Sequence, residues 1–174
     1  NSPVPMAPLH YTYRHGNGSA EILAAELCNS SGRRTEIVET GEGLYAQVLV
    51  RFLRPVEEPI IGFLIRNRHG IHAYGTNTRE QDLPLGHIVE GHTVIIRFAF
   101  DCWLGVDNYS VSFAVHSFDG HAYDWVDGAL FFRVTSAKTT EGVANLNAVA
   151  KIVHGTSTSS QFQQDEPSLA APGA

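Results

Sequence analysis

The sequence lacks the motifs that announce nucleotide or serine-hydrolase chemistry. It holds no GxxxxGK(S/T) phosphate loop, no GxGxxG after a strand-like run and no GxSxG elbow. Positive charge is scarce: 12 Lys and Arg stand against 18 Asp and Glu, for a formal net charge of −6. Nucleic-acid affinity rests on a basic surface that neutralises phosphates, so that partner class is excluded. The basic residues are also scattered, with only Arg33 and Arg34 adjacent, which argues against a polybasic membrane anchor. Apolar runs stay far below the roughly 20 residues that span a bilayer, and none reads as a signal peptide.

Cysteine is equally sparse, with Cys28 and Cys102 alone. An antibody-type domain places a core Trp between its paired cysteines, whereas here Trp103 follows the second one directly. Reduced, structural cysteines are therefore favoured over a disulfide, as in a reducing compartment. The nine histidines do not rescue a metal reading. His69 and His72 are three apart and His87 and His92 five apart, while ligands on one face of a strand stand two apart. His69, His87 and His92 are expected in loops, and neither metal nor cofactor is expected.

What is present is material for a core. Of 174 residues, 43% are apolar and 17% charged, enough for one domain to fold without metal or disulfide. The chain opens at Asn1 rather than Met, as expected of a piece of a longer protein. Residues 1–18, with three prolines and two glycines, read as an extended lead-in. Residues 155–174 are polar and read as a disordered tail. Residues 19–154 carry recurrent period-two alternation broken by turn residues.

Strands are expected over 19–29, 35–40, 44–53, 60–66, 72–76, 93–100, 109–118, 121–127, 130–134 and 143–153. About ten short strands at regular spacing indicate an all-β sandwich or barrel. Asn67 to Gly70 and Asp119-Gly120 read as hairpin turns, because Gly takes positive φ at no steric cost. Leu104 to Tyr109 resembles a tyrosine corner, in which a Tyr hydroxyl ties a sandwich edge to backbone.

A glycosidase needs two carboxyl groups flanking one bond, and among Glu57, Glu58, Asp101, Asp107, Asp119, Asp124 and Asp127 no pair is marked. Sugar binding suits the residue types better, because sugars offer hydroxyls to hydrogen-bond and C–H faces to stack on aromatics. Alternation sends Arg97, Ser110, Ser112, His116 and Arg133 outward, opposite the apolar face. Arg51 and Gln47 fall on the polar side of their strand. His121, Tyr123 and Trp125 share one face of theirs. The candidate carbohydrate-binding residues are thus Arg51, Arg97, Ser112, His116, His121, Tyr123, Trp125 and Arg133. Each has a plainer reading as solvated sheet face, and Tyr123 and Trp125 as core.

One stretch adds a family resemblance. Residues 60–78, IIGFLIRNRHGIHAYGTNT, resemble the central signature of the C-terminal domain of the ATP-binding (Wzt-type) subunit of O-antigen polysaccharide ABC transporters. Similar blocks continue at 91–100 (GHTVIIRFAF), 105–115 (GVDNYSVSFAV) and 123–134 (YDWVDGALFFRV). The resemblance implies an immunoglobulin-like antiparallel β-sandwich. It implies a non-catalytic module that binds lipopolysaccharide O-antigen, often at a modified non-reducing end, and couples finished chains to export. Implied partners are the polysaccharide, the parent nucleotide-binding domain, the transmembrane transporter subunit and a second copy of the chain. The implied location is the cytoplasmic face of the inner membrane.

The signature itself reads as structural. Gly70 and Gly75 answer backbone needs, and Asn77 and Thr78 are expected to hydrogen-bond loop backbone. The segment 143–153 alternates after a Thr- and Gly-containing connection, which suits strand exchange between protomers as well as an ordinary edge strand. A glycan-processing enzyme and a purely structural dimerisation module remain the alternatives.

Overall fold

A computed structural model describes residues 6–154 of the chain. The tail expected over 155–174 lies outside the described residues. The elements are β1 (Tyr13–His15), β2 (Ala20–Asn29), β3 (Ile37–Glu39), β4 (Gly43–Phe52), β5 (Val56–Glu57), β6 (Ile60–Asn67), β7 (His72–Asn77), β8 (His87–Ile88), β9 (Thr93–Asp101), β10 (Asn108–His116) and β11 (Ala122–Thr135).

They form two main layers. The larger sheet runs β1-β11-β10-β6-β7, with β3 pairing parallel to the end of β11. The smaller sheet runs β2-β4-β9, and β5 and β8 make a separate two-stranded ladder. The inward residues predicted from alternation on β6, β9 and β10 fill the space between. Ile61, Phe63 and Ile65 from β6 and Val111, Phe113 and Val115 from β10 are buried, as are Ile96 and Phe98 from β9. Phe63 joins the layers, with ring centroids 4.9 Å from Phe98 across the sandwich and 6.3 Å from Phe113 beside it. Cys28 and Cys102 are both free and buried.

Local devices hold the frame. Tyr109 donates its hydroxyl to the Gly105 carbonyl at 2.7 Å, the geometry of a tyrosine corner. Burial pushes that phenol up to about 12. Gly70 sits at φ 77° and Gly120 at φ 89° in their hairpin turns. Thr78, fully buried, accepts the Ile61 amide at 3.1 Å, and Asn77 accepts that of Glu80 at 2.9 Å. Both signature residues therefore spend their polar atoms on backbone. On the inner side of β11, Asp124 takes two hydrogen bonds from Arg14 (2.5 and 2.9 Å) and the Ile22 amide at 2.6 Å. This one carboxylate ties β1, β2 and β11 together.

The structure corrects four expectations. Tyr13–His15, within the lead-in, is a strand of the larger sheet, registered against Trp125 to Asp127. Three residues are too few to show alternation. The strands expected at 121–127 and 130–134 are one strand, β11. Gly128 at φ 63° makes a bulge there, and the register jumps from Val111↔Leu130 to Phe113↔Val126. His87 is not in a loop but on β8, with Nδ1 2.5 Å from Glu57. The segment 143–153 is not a strand: Ala144 bridges Leu104, and beyond it the backbone carries no ladder. Leu146 and Ile152 are 87% and 94% exposed, because no element among the described residues covers them.

Candidate functional site

The outward face of the larger sheet carries a groove, and the strand register explains why. His15, Trp125, Ala114, Gly62 and Asn77 are successive cross-strand partners over β1, β11, β10, β6 and β7. Directly registered side chains on one face are neighbours. In this row a large ring and an amide flank two positions with almost no side chain. In the adjacent row, Ser112, Leu64 and Gly75 are partners. The result is a depression of about 250 Å³ floored by Gly62, Gly75 and Ala114 and walled by Trp125, His116, Asn77 and Glu80. Gly62 is required: a Cβ there would stand 2.8 Å from the Asn77 Cβ and 2.9 Å from the Thr76 carbonyl oxygen.

Trp125 and His116 are held in place. The Trp125 indole N–H donates to Asp127 Oδ1 at 3.0 Å, and the His15 ring lies near-parallel to it, at 5.8 Å and 20°. Asp127 Oδ1 also accepts from Ser112 at 2.6 Å and from Arg66 at 3.0 Å, while Arg66 donates to Ser112 at 2.6 Å. Burial alone would raise the Asp127 pKa. The bonds from Ser112, Trp125 and Arg66 outweigh it and hold the carboxyl below its ordinary value. His116 Nδ1 lies 2.8 Å from the Ser117 carbonyl oxygen. A carbonyl only accepts, so Nδ1 carries the hydrogen and Nε2 of the neutral ring is left as an acceptor. The groove thus offers an aromatic wall, a small-residue floor and acceptors of hydrogen bonds. Those are the groups that hold a polar ring with apolar faces.

The eight candidates from alternation divide between two faces. Ser112, His116 and Trp125 line the groove. Tyr123 is on the same face of β11, two residues from Trp125 and half-buried. Arg133 is on that face too, but it pairs with Asn108, four residues along β10 from Ser112, or about 13 Å at roughly 3.3 Å per residue. His121 sits in the hairpin turn, 3.0 Å from Asp119, rather than on the strand. Arg97 and Arg51 belong to the outward face of the smaller sheet. There Arg97 donates to Gln47 at 2.9 and 3.1 Å and covers the Tyr45 ring at 4.0 Å, and Arg51 pairs with Glu21 at 2.6 Å. One continuous surface cannot include both groups.

Sequence reading missed Arg66, Asp127, His15 and Glu80 as neighbours of this groove. Asp127 had a signal, two residues beyond Trp125 on the same face of a strand. Arg66 had none, because its link to Asp127 spans 61 positions.

The comparisons with known proteins agree with the architecture. The family model described as the Wzt C-terminal domain matches residues 11–146, a span that takes in β1. No curated protein matches. Among solved structures, a crystal structure of the C-terminal domain of wzt superposes with a TM-score of 0.74 at 20% identity, covering 81% of this chain and 90% of that one. A β-glucuronidase of glycoside hydrolase family 2 reaches 0.39 at 13% identity over 70% of this chain and 12% of its own. The CARDB domain of a Pyrococcus furiosus protein also reaches 0.39, at 9% identity over 78% and 98%. Only the first of these likenesses bears on the fold.

Proposed function

The chain belongs to the Wzt C-terminal domain family, a non-catalytic domain of the ABC transporters that export O-antigen, and from that premise we propose that the groove beside Trp125 binds the exported polysaccharide. The observation that carries the proposal is the groove itself: a fixed indole wall over a Gly62, Gly75 and Ala114 floor, with acceptors at its rim. An indole face stacks on the C–H face of a sugar, and the His116 Nε2 and the Glu80 carboxylate take its hydroxyls. At about 250 Å³ the groove suits one terminal residue rather than a buried chain. The proposal includes recognition of a modified non-reducing end, and a groove of single-residue size supports it. A group that fills the pocket is retained, and its absence leaves polar atoms unpaired. Few contacts imply micromolar affinity or weaker, a binding free energy no larger than about 8 kcal/mol.

The proposal extends to assembly, with the domain working at the cytoplasmic face beside its nucleotide-binding and transmembrane partners. Among the described residues no helix is long and apolar enough to cross a membrane. We propose that residues 146–153 pair with a second copy of the chain. β9 is an edge strand of nine residues. Beside it run two depressions of about 280 and 340 Å³ that share Tyr74 and Phe100, and the second reaches Ala144, where the exposed segment departs. A strand edge and an alternating segment that are both unpaired among the described residues are the arrangement that exchange resolves.

Two experiments test these readings. O-polysaccharide released by mild acid from the lipopolysaccharide of the source strain should be retained by the immobilised chain and not by Trp125→Ala. Equal retention by both, or by neither, overturns the groove reading. Light scattering should show a dimer for the full chain and a monomer for a chain ending at Asn145. A dimer that survives the truncation overturns the exchange.

A further inference from the structure

Beside the groove, four side chains form a square on the outward face of the larger sheet. Tyr13 is the direct partner of Asp127, and His15 that of Trp125. The His15 ring lies 5.6 Å and 34° from Tyr13 and 5.8 Å and 20° from Trp125, so three rings continue one another from the groove to the sheet edge. Tyr13 is 59% exposed, so core packing does not account for its ring.

Asp127 supplies the polar part of the square. Its Oδ1 accepts three hydrogen bonds, from Ser112, Trp125 and Arg66. Its Oδ2 accepts none from the described residues. The three donors fix the carboxylate and favour its ionised form, and the side chain stays 30% exposed with Oδ2 left to accept. Such an atom asks its ligand for an O–H or N–H donor. A carboxylate or phosphate group brings none and meets like charge.

We infer that strand β1 and Asp127 form a second subsite, which takes a neutral, hydroxyl-bearing sugar residue next in the chain to the one held in the groove. The inference rests on the reading of that groove as a polysaccharide site. It adds a direction: the glycan crosses the strands from β6 towards β1 instead of running along them. It also gives the lead-in strand a purpose that its three-residue length alone does not suggest. The short strand places two rings next to Trp125.

The test uses the full chain and O-polysaccharide of the source strain, partially hydrolysed and separated by size, in calorimetric titrations. Wild type and Tyr13→Ala should bind the shortest retained fragment equally, and His15→Ala, whose ring lies against Trp125, is read only by its ratio of long- to short-fragment affinity. Longer fragments should bind wild type more tightly, and each variant should lose roughly tenfold of that gain. Asp127→Asn, with the near-ultraviolet circular dichroism of Trp125 checked for an unchanged environment, should lose a comparable share. Tyr13→Leu keeps the apolar bulk without the ring and should behave as Tyr13→Ala. Variants that bind long fragments as wild type does would overturn the second subsite and leave the groove reading standing. Equal losses on short and long fragments would also overturn it, because the residues would then belong to the groove. Wild type that retains no fragment of any length would overturn the groove reading and the inference together.

Discussion

On the outward face of β2, β4 and β9, charged groups are consumed by their own sheet. Arg51 reaches Glu21 at 2.6 Å, Arg34 reaches Glu26 at 2.7 Å, and Gln47 is shared between Glu26 and Arg97. On the outward face of β6, β10 and β11, the polar cluster instead gathers on one oxygen of Asp127 and leaves the other open, beside a row where Gly62 and Ala114 lie between Trp125 and Asn77. Both faces carry Arg, carboxylate, amide and aromatic residues. The difference lies in registered small residues, which cut a groove, and in acceptors left over after local pairing. On the proposed reading, a sheet face can serve as a site when its polar groups are not all used by each other.

The sharpest break in that comparison comes from single substitutions on either face. Trp125→Ala should abolish retention of O-polysaccharide, while Arg97→Ala should change it less than about twofold, since exposed cross-strand contacts of that kind contribute little. A column assay with both variants decides between the faces. Loss of retention in Arg97→Ala with Trp125→Ala unaffected would move the site to the smaller sheet.

The next comparison sets two carboxylates of one strand against each other. Asp124 points inward and holds Arg14 and the Ile22 amide, so Asp124→Ala should cost about 2–3 kcal/mol in urea unfolding. That figure is below the usual cost of breaking a buried pair, because the Arg14 side chain is 25% exposed. Binding of the shortest fragment by the folded variant should be unchanged. Asp127→Asn should show the reverse weighting, with a smaller loss of stability than Asp124→Ala and a clear loss of affinity for long fragments.

Titration separates interior from surface by sign. Burial raises the Cys102 thiol from 9.0 to about 11. The unfolded chain releases that proton first, so its contribution is complete below pH 9 and is lost as pH rises through about 11. The loss should be about 2 kcal/mol and should shrink in Cys102→Ala, followed by urea unfolding from pH 8.5 upward. Asp127 works in the other direction. Its lowered pKa contributes stability above the ordinary carboxylate value, lost as pH falls through the lower folded one. Asp127→Asn should flatten the acid limb of the unfolding curve. The smallest effect is expected at Arg51→Ala, where an exposed pair with Glu21 is worth under about 1 kcal/mol.

Much of the sandwich was legible from alternation. The inward sets on β6, β9 and β10 were readable because a period-two set of large apolar residues runs through each strand. The tyrosine corner and both hairpin turns were readable because Tyr109, Gly70 and Asp119-Gly120 stand at fixed offsets from strands. β1, β5 and β8 were not, at two or three residues each. The unity of β11 was hidden by Gly128, which reads as a strand end until its bulge is seen opposite Ser112. Residues 143–153 alternate like a strand yet have no ladder among the described residues, since alternation reports that a segment could pair, not where. The site was half legible. Ser112, His116 and Trp125 came from parity alone. The floor of Gly62, Gly75 and Ala114 needed strand order and register, which no single strand encodes. The same lack of strand order let Arg51 and Arg97 stand among candidates from the opposite sheet.

The central claim is that the polysaccharide sits on the outward face of the larger sheet. Its most direct test is amide and indole chemical-shift mapping of the ¹⁵N-labelled chain during titration with O-polysaccharide fragments. The account predicts shifts concentrated at the Trp125 indole and at the Gly62, Gly75, Ala114 and His116 amides, with those of Gln47, Arg51 and Arg97 unmoved. Shifts confined to Gln47, Arg51 and Arg97 would contradict it.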